Sequence, residues 1–140
     1  MAGKLFVFDL DDTIMDNVHD YTEPIIEMAR CIIGAFGSRA PHIFTVITME
    51  EEIDGRRKHE INPATGRPYL YSMERFPGTC VETYREIAKR AKIVPDAEVE
   101  AKLWNIGMGA FDERRYVKNV NPEALSALDF LKKQGIFLKK

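Results

Sequence analysis

Cysteine is scarce in this chain. Its two thiols, Cys31 and Cys80, lie far apart in helix-like segments, with neither metal-ligand spacing nor the density of a secreted disulfide scaffold. Both are expected to be reduced and buried. Long apolar runs are missing as well: none approaches the ~18 residues of a membrane span, and the N-terminal "LFVF" is too short for a signal peptide and runs at once into acids. The expected location is cytoplasmic, with no membrane partner. Neither sign of charge is in excess, since the formal net charge is -2 and the pI is near 5.9. That balance excludes a general nucleic-acid binder, and the basic runs "GRRKHE" and "YREIAKRAK", interleaved with acids, read as solvated helix faces. No internal repeat, low-complexity segment or disordered linker is present. What remains is 140 residues, 45% of them apolar, which is enough for one domain with a real core or for a small core carrying an insertion.

The N-terminal "KLFVFDL" is a β-favouring run without polar alternation, the pattern of a strand covered on both faces, so Leu5 to Leu10 is expected as a central strand of a parallel sheet. Helices are expected behind it. Thr22 is a cap and Pro24 is tolerated in the first turn of a helix over 22–36, whose apolar residues recur at helical spacing up to Gly37. "HIFTVI" is ambiguous: its composition suits a strand, while Thr48 with Glu51 forms a capping box for a helix over 49–60. "NPATGRP" is a turn. Thr79 with Glu82 repeats the capping box ahead of a helix over 80–92, Pro95 and Asp96 open another over 96–111, and Asn121 with Pro122 opens a last one over 122–134. "IFLKK" then reads as the opening of a second strand. Trp104, Phe111 and the methionines at helical spacing are expected in a helical core rather than in a substrate box.

The chemistry is concentrated at the end of the first strand, where Asp9, Asp11, Asp12 and Asp16 fall within eight positions. Like charges gathered so closely are either left in water or held on something positive. Residues two apart on a strand share a side, so Asp9 and Asp11 converge past its carboxyl end, where open parallel sheets bind ligands. Two carboxylates there suit Mg²⁺, a hard cation that takes oxygen donors and bridges to phosphate, and a carboxylate can itself attack phosphorus.

An apolar strand followed by Asp-x-Asp-x-Thr, here "LFVFDLDDT", resembles the first motif of the haloacid-dehalogenase-like (HAD) superfamily, with Asp9, Asp11 and Thr13 on the motif positions. The resemblance implies an α/β fold with a Rossmann-type core and an inserted, mostly α-helical cap. It implies that Asp9 is the nucleophile and a metal ligand, and that Asp11 is the general acid and base and lends its backbone carbonyl to the metal. Thr13 would steady the turn and support the phosphate. On this reading residues 1–15 and 121–140 are a partial core, residues 16–120 are the cap, and the chain as it stands is predominantly helical. The expected activity is Mg²⁺-dependent hydrolysis of a small phosphorylated metabolite through an aspartyl-phosphate.

The family also uses a Ser or Thr at the end of the next core strand, and later a Lys and further acids. No counterparts precede Lys140, so the chain is expected to be truncated, feeble or inactive alone, and prone to self-association through an exposed strand edge. "HIFTVIT", with Thr45 or Thr48, is a weak imitation of that second motif. The competing functions are haloacid dehalogenation, which has little use for a second acid at Asp11, and a non-catalytic module whose helical cap is the working surface. An EF-hand fails because Ile14 occupies its glycine position and a strand precedes it. His19 reads as a surface residue, and Arg56, Arg57 and Arg75 are the cap cations able to reach a substrate phosphate.

Overall fold

The computed structural model describes residues 21–112, 114 and 120–134. Two compact units divide the chain, one of residues 22–112 and one of residues 1–21 with 113–140. The expected strand at Leu5 to Leu10 and the stub "IFLKK" lie outside the described residues.

The first unit is helical. In α1 (Thr22–Phe36) the stripe of Pro24, Met28, Ala29, Ile32 and Phe36 faces inward, and Gly37, at a φ of +55°, ends the helix in a short 3₁₀ turn over Gly37–Arg39. Helix α2 (Ile43–Arg57) is capped by His42, whose Nδ1 accepts from the Phe44 amide at 3.4 Å. It resolves one ambiguity and corrects one expectation. "HIFTVI" is helical, and the helix begins six residues before the position that the Thr48/Glu51 pattern marks. Thr45 and Thr48 are exposed on α2, so neither ends a core strand in the manner of a second motif. The β-branched residues Ile43, Thr45, Val46, Ile47 and Thr48 imitate a strand in composition, but the buried set of Val46, Met49, Glu50 and Ile53 has helical spacing.

A two-stranded antiparallel hairpin follows, β1 (Ile61–Asn62) and β2 (Arg67–Pro68), pairing Ile61 with Pro68 and Asn62 with Arg67. Its turn is built by Asn62, whose side chain accepts from the Ala64 amide and whose carbonyl accepts from those of Thr65 and Gly66. Helix α3 (Arg75–Arg90) starts five residues earlier than expected, because Pro77 in a first turn sacrifices no intrahelical hydrogen bond. Thr79 is therefore an interior residue and not a cap. Its hydroxyl donates to the Arg75 carbonyl and that of Thr83 to the Thr79 carbonyl, which lets both be buried without an unmet donor. Helix α4 (Ala97–Gly109) is capped by Asp96, which accepts from the Glu98 amide at 2.8 Å.

Each of these four helices packs on two others, α1 on α2 and α4, α3 on α2 and α4. Met28, Ile32, Phe36, Val46, Ile53, Phe76, Tyr84, Ile87 and Leu103 form the core between them. Gly107 sets the closest approach: a Cβ there would sit 2.5 Å from the Pro77 Cα, so α3 and α4 meet backbone to backbone only with glycine at this position. Among the described residues no helix is long and apolar enough to cross a membrane.

In the second unit the one described helix, α5 (Pro122–Lys133), begins as expected, with Asn121 accepting from the Glu123 amide at 2.9 Å and Pro122 in the first turn. Leu125 and Phe130 are exposed on it.

Candidate functional site

All three residues assigned to chemistry from the sequence, Asp9, Asp11 and Thr13, lie outside the described residues, as do Asp12, Asp16 and His19. The Mg²⁺ site expected from the sequence falls there with them. Among the described residues no group of three or more His, Cys, Asp or Glu side chains is placed to hold a metal.

The cap cations are placed, and their charge is already in use. The Arg75 Nε donates to Asp54 Oδ1 at 3.0 Å, and another of its nitrogens donates to the Leu70 carbonyl, tying α3 to α2 and to the segment after the hairpin. Arg57 donates to Glu82 Oε2 at 3.0 Å and Arg56 to the other oxygen of the same carboxylate. Burial works to raise the Glu82 pKa, but these two guanidinium groups outweigh it and hold the carboxyl below its ordinary range. Arg57 also lies over the Tyr69 ring, 4.6 Å from its centroid, against a niche that only glycine at 78 leaves open. These arginines fasten helices together. The expectation that they reach out for a phosphate finds no free guanidinium among them.

Sequence reasoning missed Glu50. It is 3% exposed on the inner face of α2, and no ion pair to it forms among the described residues. Burial pushes its carboxyl up to about 7, reinforced by Asp54 and Glu51 and only partly opposed by Arg75. Cys80, in the core, faces the same field: burial and the nearby Glu50 raise its thiol far above the ordinary range, so it stays protonated and unreactive. Both cysteines are free, and Cys31 is half-buried rather than buried as expected. The signal for Glu50 was its place between Met49 and Ile53 in an inward stripe, which the capping-box reading of Thr48 and Glu51 obscured.

A concavity of about 490 Å³ runs along α3 and is lined by Arg57, Gly78, Val81, Glu82, Arg85, Glu86, Lys89 and Trp104. Residues 78, 82, 85 and 89 follow one helical stripe, and Trp104 comes from α4. Arg85 makes a bidentate pair with Glu100 at 2.7 and 2.6 Å, and Arg90 pairs with Glu86 at 3.2 Å. Lys89 is exposed and makes no ion pair among the described residues. Trp104, expected in the core, is 39% exposed at the edge of this groove.

Compared with protein-family models, with curated proteins and with solved structures, the chain matches none.

Proposed function

We propose that the protein is a HAD-type phosphohydrolase that acts on a small phosphate monoester through an aspartyl-phosphate. The observation that carries the reading is the sequence "LFVFDLDDT", an apolar, β-favouring run followed by Asp9, Asp11 and Thr13 on the motif positions. The helical unit of residues 22–112 supports it, because a segment inserted behind such a motif must bury a core of its own, and this one does.

Asp9 attacks phosphorus through a carboxylate oxygen as the ester P–O bond breaks, and Asp11 gives its proton to the departing alkoxide. A water then attacks the phosphorus, passing a proton back to Asp11, and the bond from phosphorus to Asp9 breaks to release phosphate. Asp9, through its carboxylate, and Asp11, through its backbone carbonyl, would hold Mg²⁺, whose charge offsets that of the phosphoryl group. Thr13 steadies the turn that carries both acids.

Asp11 is what separates this reaction from dehalogenation, because a halide leaves without a proton and an alkoxide does not. The test is a panel of phosphate monoesters set against a panel of haloacids, each with Mg²⁺. Feeble turnover confined to the esters and lost in Asp9→Asn is the expected result, whereas turnover of a haloacid with none of the esters would contradict the assignment.

A further inference from the structure

We infer that the groove on α3 is a binding site for a small organic anion carrying a flat aromatic ring. This is a second site, independent of the N-terminal acids, and all of its lining lies between Arg57 and Trp104 in the helical unit.

Size is the first support. About 490 Å³ falls within the range of roughly 300–1,000 Å³ occupied by small-molecule sites. Charge is the second. Glu82 and Glu86 line the groove, but Glu82 is neutralised by Arg56 and Arg57, and Glu86 by Arg90. Arg85 is matched by Glu100, which leaves Lys89 as the cation of this cluster with no carboxylate of its own among the described residues. Arg56 also pairs with Glu60 at 3.4 Å, so five cations stand against four carboxylates, and the surplus charge, at Lys89, favours an anion. A compact ammonium on a flexible stem is suited to a phosphate or carboxylate as a point charge.

Trp104 is the third support. A core position would hide an indole of this size, yet it stays partly exposed at the groove's edge, where an aromatic ligand can pack on it, and the planar guanidinium of Arg85 lines the same groove. A ligand that carries both a ring and an anionic group would engage both features at once, whereas either feature alone would hold it weakly.

Trp104 is the only tryptophan in the chain, so its fluorescence reads this groove directly. The experiment titrates adenosine 5′-monophosphate into the full Asp9→Asn chain without Mg²⁺, so that neither turnover nor the failure of the phosphatase reading affects the result. Fluorescence should change saturably, with adenosine alone and inorganic phosphate alone each binding at least about tenfold more weakly. Lys89→Gln, an exposed change that leaves folding intact, should weaken the nucleotide by about tenfold, the scale of one charge-assisted contact. By calorimetry Trp104→Phe should retain binding and Trp104→Ala should lose about tenfold. Fluorescence unmoved at millimolar nucleotide, or an affinity unchanged by Lys89→Gln, would overturn the site.

Discussion

Helices α1 and α2 are each 15 residues long and pack on one another, yet they bury different chemistry. The inner face of α1 is apolar throughout, from Pro24 to Phe36, whereas that of α2 interrupts Val46, Met49 and Ile53 with the carboxylate of Glu50. The consequence reaches beyond one residue. An uninterrupted stripe stabilises in proportion to the area it removes from water, while a buried acid must be neutralised, and here it gains that freedom by holding its proton to about pH 7. One helix is a pH-insensitive pillar and its neighbour is not.

The largest effect should come from the apolar side of this contrast. Ile32 is fully buried, so Ile32→Ala should cost about 2–5 kcal/mol in urea unfolding, a large share of a typical domain's stability. A loss below about 1 kcal/mol would mean that the α1 face is not the pillar described.

Glu50 should give the next largest. Its carboxyl is held at about 7 in the folded chain against 4.5 when unfolded, so stability is full below pH 4.5 and is lost as pH rises towards 7. That displacement corresponds to about 3 kcal/mol at most. Glu50→Gln should match the parent below pH 4.5 and exceed it by up to that amount at pH 8. Equal stabilities at both pH values would remove the distinction between the two helices.

Gly107→Ala should follow, at about 1–3 kcal/mol, because its Cβ would force the α3 and α4 backbones apart at Pro77. Smallest of all should be Thr45→Ala and Thr48→Ala on the outer face of α2, each within about 0.5 kcal/mol of the parent. They should leave any phosphate chemistry untouched. A large loss of activity at either would revive "HIFTVIT" as a second motif.

The same contrast explains what could be read from sequence. The range expected for α1 is the one found, because its inward stripe stops at Gly37, and α5 differs by one residue, because Asn121 and Pro122 fix its start. In α2 a buried acid hides the stripe, the β-branched residues imitate a strand, and a spurious capping box moves the start to Thr48. Helix α3 was misread for a related reason. Thr79 and Glu82 imitate a capping box, but Pro77 loses no hydrogen bond in a first turn and Gly78 makes room for Arg57, so the helix starts before both. Of the candidate sites, the acids at 9 and 11 stand out because like charges in a row need a reason, whereas Lys89 and Trp104 come from separate helices. No spacing along the chain announces that those two share a groove.

The central claim is that Asp9 takes up phosphate, and labelling tests it most directly. The full chain is incubated with Mg²⁺ and an alkyl phosphate monoester, quenched in acid and mapped by mass spectrometry. An acid-stable, hydroxylamine-labile phosphate on Asp9, absent from Asp9→Asn and slower both to form and to decay in Asp11→Asn, is the predicted result. Label that persists at this site in Asp9→Asn, or that forms and decays at unchanged rates without Asp11, would contradict it.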